Sequence, residues 1–474
     1  MFPDYTNRRQ LLQYTACGFG ALAANAMLAG SQTTRASTGP NRFEGLHHRA
    51  RAKRIIFLFM QGGVSQVDSF DYKPLLADRH GETHTFDDAR QLAKIGKSTE
   101  HHLMRSPWKF QQYGNSGRWV SELFSKSAEH VDDMCLLHGM HTEGVAHGPA
   151  TLFLHCGATN FVRPSFGSWV LYGLGPENQN LPGFVSIAPS VGNGGPRNYG
   201  NAFLPPKFQG TKIGGAGSES LTIDSLIRDD LPRQSQSKQV ELIQQLNRAQ
   251  WNRRGTHDEE LEAAIHSHEL AWRMQQVAPE VLDMTNESAA TMEMYGLDNP
   301  KTRSYGERCL MARRMCEAGV RFIQVNYGDN SANPAWDQHS NLPKHAEHAE
   351  AVDKPIAGLL LDLKQRGLLE DTIVWWGSEF GRTPYSQENG TGRDHNPGGF
   401  TVWLAGGGFK PGYTHGQTDE FGFQGVEGRV HMHDLHATLL HQLGIDHKRL
   451  TFQHSGRNFR LTDVHGHVVD KVIS

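Results

Sequence analysis

The sequence predicts an α/β fold around a mostly parallel central sheet sandwiched by helices, and three observations carry that reading. Short, continuously apolar runs recur along the chain, as strands buried on both faces require. They alternate with segments whose apolar residues follow a helical period. Finally, 51 glycines in 474 residues, against a usual share of ~7%, call for many tight turns between short elements. The length suits one large or two medium domains with a sizeable core.

The elements follow in order. Arg54 to Met60 is an unbroken apolar run that ends in Gln61-Gly62-Gly63, the first strand. A helix is expected around Trp119 to His130, and a second strand at Met134 to Leu137. Gly183 to Ile187 is a third strand, and Gly319 to Val325 a fourth. The helix before that fourth strand carries Cys309 and Cys316 on one face with Tyr305 and Ala312, which reads as core. Ile356, Leu359, Leu360 and Leu363 mark a helix with Pro355 near its start and Gly367 at its end. Strands five and six are Asp371 to Trp376 and Phe400 to Leu404. The alternation lapses between about Asn193 and Thr302, where a Gly/Pro loop precedes charged helical sequence from His257 to Val277. That stretch is read as an insertion in one domain spanning residues 53–474, behind a linker over 37–52.

Residues 1–36 read as an address. Arg8-Arg9 precede a mild apolar run from Tyr14 to Gly30, the pattern of a twin-arginine signal that engages an export translocase and directs the chain to the periplasm or beyond. The run is too short and weak to be a stable membrane span. Lys+Arg 47 against Asp+Glu 50 gives a net charge of −3, which argues against a nucleic-acid partner. Five cysteines include no Cys-x-x-Cys, so a zinc ribbon or redox motif is unsupported. The 27 histidines point instead to metal or acid–base chemistry.

In open α/β sheets ligands bind beyond the carboxyl ends of the strands, and polar clusters stand at those ends here. They are Ser65 to Asp71 after strand one, Asp337 and His339 after strand four, Ser378-Glu379 with Arg382 after strand five, and Arg393-Asp394-His395 shortly beyond. Mixed carboxylates and imidazoles are ligands for zinc, manganese or iron, and carboxylates with amides for magnesium or calcium. The competing reading is a set of loop caps and turn salt bridges. Asp337, His339, Glu379 and His395 are the expected ligands of one divalent ion (Zn, Mn, Mg or Ca). His345 and His348 are expected on a solvated helix face beside Lys344 and Glu347, and His431, His433, His436 and His441 mostly at the surface or in caps.

The segments KRIIFLFMQGGVSQVDSFDYKP, RPSFGSWVLYGLG, ERCLMARRMCEAGVRFIQV, WDQHSNLP, DLKQRGLLEDTIVWWGSEFGRTP, GRDHNPGGFTVWLAGGG and DLHATLLHQLGID resemble bacterial domain-of-unknown-function family 1501. That family is abundant in planctomycete-like bacteria and is often called sulfatase-like for its resemblance to the alkaline phosphatase superfamily. The resemblance implies a metal centre at the strand ends. It matches Ser378-Glu379-Phe380-Gly381 to the superfamily's Asp-His-Gly metal motif, with Glu379 for the acid and Phe380 for the histidine. Asp337 and His339 match its Asp/His pair, and His395 its late histidine. Gln61 stands where the superfamily has an early acid, so Asp68 or Asp71 would have to substitute. One metal is expected.

No Cys/Ser-x-Pro-x-Arg sulfatase nucleophile is present; Cys309 to Arg313 lacks the proline. Superfamily phosphatases place Ser or Thr at a helix N-terminus, where the dipole favours an anion. Thr142, Thr151 and Ser65 are the candidates here, each also readable as a cap or turn hydroxyl. His147 is a candidate acid, base or ligand. Arg382 and Arg393 are candidate clamps for a sulfate or phosphate, or ordinary ion pairs. The function expected is an exported metal-dependent hydrolase of sulfate or phosphate esters on a small molecule or polysaccharide. The alternatives are a transferase on the same scaffold and a non-catalytic binding protein.

Overall fold

The apolar runs assemble into a twisted sheet whose centre is the first of them. The computed structural model describes residues 46–86, 100–218, 221–222, 233–254, 259–387 and 391–474. The twin-arginine segment therefore lies outside the described residues. The strands used below are β1 (Arg54–Met60), β2 (Met134–His141), β3 (Phe184–Ile187), β4 (Thr211–Ile213), β5 (Phe322–Tyr327) and β6 (Thr372–Gly377). They continue with β7 (Gly381–Ser386), β8 (Arg393–Asn396), β9 (Phe400–Ala405), β10 (Tyr413–His415) and β11 (Val430–His431). The central sheet has nine strands among the described residues, in the order β10-β2-β9-β6-β1-β5-β3-β4, with β11 also pairing with β2. Every pairing is parallel except those of β9, which runs antiparallel to both β6 and β2.

β1 takes the centre because all seven of its residues are buried, and each large apolar side chain buried stabilises by roughly 1.5–3 kcal/mol. Its side chains alternate between two cores. Ile56, Leu58 and Met60 pack with helices α3 (Pro300–Glu317) and α4 (Lys344–Gln365), through Cys309, Ala312, Ile356, Leu359 and Leu363. Ile55, Phe57 and Phe59 face α1 (His147–Cys156), α2 (Phe166–Leu174) and α5 (Met432–Gln442), through Phe153, Trp169, Leu435 and Leu439. Here α1 to α5 count the helices that flank the sheet.

Four local expectations are corrected. The segment expected as a helix around Trp119 to His130 is a strand, Arg118–Ser121, followed by two 3-10 turns. Its Trp119 and Val120 pair across to Gln112 and Gln111, a setting that suits β-branched and aromatic residues. Helix α4 starts at Lys344, with Pro355 inside it, because Ala349 and Val352 extend its apolar face toward the N-terminus. His345 is consequently fully buried, its Nε2 accepting from the Ser65 amide at 3.3 Å. His433 and His436 are buried too, whereas His431 caps α5 as expected of a capping residue. The stretch from 193 to 302 contributes β4 to the sheet edge and two helices, Arg233–Arg254 and Glu259–Leu282. No helix among the described residues is long and apolar enough to cross a membrane.

Candidate metal centre

Four strands deliver the site to one edge. Because β9 is antiparallel to both β6 and β2, β2 points the same way as β6, β1 and β5, and their carboxyl ends lie together. β1 leads into Gly62, β5 into the loop with Trp336, Asp337 and His339, and β6 into Ser378-Glu379. β2 leads through residues 142–146 to His147 at the start of α1, and β8 carries His395. The crossing of the first two loops is tight enough to require glycine. Gly62 has φ +118°, and a Cβ there would stand 2.8 Å from the amide nitrogens of Trp336 and Asp337.

The focus of the site is one oxygen. Asp337 Oδ1 lies 3.2 Å from His147 Nε2, 3.0 Å from His339 Nε2 and 3.3 Å from His395 Nε2. The other nitrogen of each ring is tied to an oxygen: His147 Nδ1 to Glu379 Oε1 at 2.7 Å, His339 Nδ1 to Gln387 Oε1 at 2.9 Å, and His395 Nδ1 to the Val145 carbonyl at 2.8 Å. Carbonyl and carboxylate oxygens only accept, so each Nδ1 carries a proton and each Nε2 is the nitrogen left facing Asp337. His339 Nε2 and His395 Nε2 stand 3.0 Å apart, and His147 Nε2 is buried facing Asp337. Three Nε2 atoms converging on one carboxylate oxygen form a place for positive charge, either a proton on His147 or a cation. Metal-bound histidines are held in this way by an oxygen on the far nitrogen, so the residues present fit a divalent ion.

The charges agree with the geometry. Asp337, Glu379 and Asp394 stand against Arg382 and, without metal, a protonated His147, so a divalent cation that displaces that proton meets net negative charge. Burial alone would lower the pKa of His147, but Asp337 and Glu379 prevail and lift it to about 9. The pocket thus draws positive charge to the Nε2 position. Burial pushes His395 down to about 4, helped by Arg382 and His147 and opposed by Asp337. For Asp337 burial acts upward, yet the three facing histidines, with Arg382, hold it well below the usual carboxylate range.

Among the described residues, two overlapping sets have ligand atoms within 4.8 Å of one another: His147, Asp337 and His395, and His339, Asp394 and His395. Asp394, 17% exposed, is the member that the sequence reading passed over. It stood beside His395 in the same cluster, and that adjacency was the available signal. His147, considered for several roles, here joins the inward-facing nitrogens.

Other candidates are placed elsewhere. Glu379, expected as a ligand, is fully buried one layer out, holding His147 while accepting from the Gly62 amide and the Ser378 hydroxyl. Asp68, also expected as a ligand, grips the Arg393 guanidinium at 2.7 and 3.0 Å and accepts from Ser65 Oγ. That occupies both its oxygens and spends the Ser65 hydroxyl, so neither serves the site directly. Asp71 bonds Thr418 and Lys73. Arg382 and Arg393 are fully buried; Arg382 binds Asp337 and the Gly62 and Gly63 carbonyls, and Arg393 adds the Thr383 and Met104 carbonyls to Asp68. They brace the loops and leave no fork free to clamp an ester. Thr151 is fully buried on α1 and Thr142 is 9% exposed, each with an unpartnered hydroxyl. Cys309 is buried in α3, where burial pushes its thiol far up, the opposite of a nucleophile's environment.

An α/β protein with a histidine–carboxylate pocket at the strand ends is the class that fold and site define. Within it, the family described as "Protein of unknown function (DUF1501)" matches residues 52–473, and the chain belongs to that family. No curated protein matches the sequence. Similar solved structures include Ps i-CgsB in complex with k-i-k-neocarrahexaose, 11% identical over 83% of this chain and 72% of that one, with a TM-score of 0.36. The PsFucS1 sulfatase from Pseudoalteromonas sp. is 11% identical over 83% and 68%, at 0.34. Alkaline phosphatase from the Antarctic bacterium TAB5 is 10% identical over 83% and 98%, at 0.32. These values mark a distant likeness, and the chemistry has to come from this chain's own side chains.

Proposed function

We propose that this protein is an exported hydrolase of sulfate or phosphate esters that works with one divalent cation. The observation that carries the reading is the convergence of three Nε2 atoms on Asp337 Oδ1 with every Nδ1 tied down. His395 supports a single ion, because its Nδ1 is committed to Val145 and only Nε2 remains for either set of ligands. When bound, such a cation polarises an ester oxygen and lowers the pKa of water. The chain's own part is to hold the three imidazoles in one tautomer, through Glu379, Gln387 and Val145. His339, 30% exposed, and Asp394 form the open side by which an ester enters. With Ser65 spent on Asp68 and Thr151 fully buried, water and the Thr142 hydroxyl are the attacking groups that remain. Arg8 and Arg9 ahead of the apolar run support export by the twin-arginine route.

The test is a panel of aryl sulfates and aryl phosphates assayed with zinc, manganese, magnesium and calcium. Turnover of at least one ester, abolished by chelation and restored by metal, is expected. Metal binding without turnover of any ester would instead leave a binding protein or a transferase.

A further inference from the structure

The helix Arg233–Arg254, in the stretch where the alternation of strands and helices lapses, is turned the opposite way from a helix that meets only water. It packs against the helix Glu259–Leu282. Its inward residues are Gln236, which is buried, and Val240, Gln244 and Asn247, which are half-buried. Their i, i+4, i+8, i+11 spacing makes them one stripe of the helix, and three of the four are carboxamides. Leu242, Ile243 and Leu246 stand off that stripe, 55%, 41% and 61% exposed. A helix that packs only within its own chain buries its leucines and leaves its amides to water. The exposed apolar face is therefore the one that needs a partner.

Charge decides what covers it. The helix carries five lysines and arginines against one glutamate, in a chain whose net charge is −3. Lys238 and Arg248 are exposed, as the leucines are. A second copy pairing through this face would set two such cationic helices side by side, and like charges brought together cost affinity. A nucleic-acid strand would answer the charge but leave Leu242 and Leu246 in water. A bilayer with anionic headgroups answers both features. The leucines enter the boundary between headgroups and acyl chains, while the lysine and arginines stay among the phosphates.

We propose that the helix Arg233–Arg254 is a docking face for an anionic lipid surface, on which it lies without crossing the bilayer. The inference stands apart from the hydrolase reading, and its test involves no turnover. The full chain is sedimented with vesicles of phosphatidylcholine alone and of phosphatidylcholine and phosphatidylglycerol in equal parts. Binding to the second kind only, falling as salt is raised, is expected. Leu242→Gln combined with Leu246→Gln, and Lys238→Glu combined with Arg248→Glu, should each weaken it at least about tenfold. All four side chains are exposed, so circular dichroism should not change. Binding to neither kind of vesicle, or equal binding to both, would overturn the proposal. So would variants that bind as tightly as the wild type, because the contact would then lie on another segment. A dimer in sedimentation equilibrium that the leucine changes dissolve would also overturn it, making a second copy the occupant.

Discussion

Two groups of histidines in this molecule begin with the same local contact and end in opposite states. At the sheet edge, His147, His339 and His395 each tie Nδ1 to an oxygen. Along α1 and α5, His155, His433 and His436 also bond one ring nitrogen to an oxygen, the carbonyls of Thr151, Gly157 and Leu154 at 2.8, 3.1 and 2.8 Å. The second nitrogen makes the difference. At the edge it faces Asp337; in the interior it faces aromatic rings such as Phe57, Phe153 and Phe166 and has no partner. Burial pushes His155 and His433 down to about 4 and His436 to about 3, so they are neutral packing groups. A histidine becomes a ligand here through the carboxylate its free nitrogen meets, not through its own hydrogen-bonded partner.

The largest effect that would break this comparison is at His395. Replacing it with alanine removes one inward nitrogen and should weaken metal binding by at least about 100-fold, with little change in thermal unfolding of the metal-free protein. Equilibrium dialysis with zinc and manganese measures the first, and differential scanning calorimetry the second. Glu379→Gln comes next. It keeps the side chain's size but sets an NH2 group against the Gly62 amide or the His147 Nδ1–H, so binding should fall about 10–100-fold without loss of the fold. Affinity unchanged in that variant would mean that the far-nitrogen contact is incidental.

His436→Ala should do the reverse. It opens a cavity in the core, costing about 2–4 kcal/mol, and should leave metal affinity within twofold. The smallest effect is on pH dependence, and its sign separates the two groups. The interior histidines have folded pKa values below their ordinary 6.5, so the stability that goes with their neutral state is full above pH 6.5. It is lost as pH falls toward 4 and then 3, because the unfolded chain takes up the protons first. His147 without metal is raised to about 9, so its contribution is full below pH 6.5 and lost as pH rises through 9. Melting curves from pH 4 to 10 should show both flanks in metal-free protein, and only the acid flank once a cation replaces the His147 proton.

Much of the fold was legible because runs such as Ile55 to Met60 are apolar throughout, as a strand covered on both faces requires. The clusters at strand ends were legible for the same reason, since topology alone brings Asp337, His339 and His395 to one edge. The direction of individual side chains was not. Whether Glu379 or His147 reaches the centre depends on how far α1 leans over β6, and a sequence carries no measure of that. Arg382 and Arg393 read equally well as clamps or as ion pairs until the β7–β8 hairpin is seen to fold them inward. His345 misled because charged neighbours, Lys344 and Glu347, flank a position whose own face is apolar.

The central claim is one cation held by His147, His339, His395 and Asp337, and metal stoichiometry tests it most directly. Chelator-stripped protein, reloaded with excess divalent metal and freed of unbound ion, should hold close to one ion per chain by elemental analysis. His395→Ala should hold close to none, and His436→Ala close to one. An empty wild type, or an ion that survives in His395→Ala, would contradict the account.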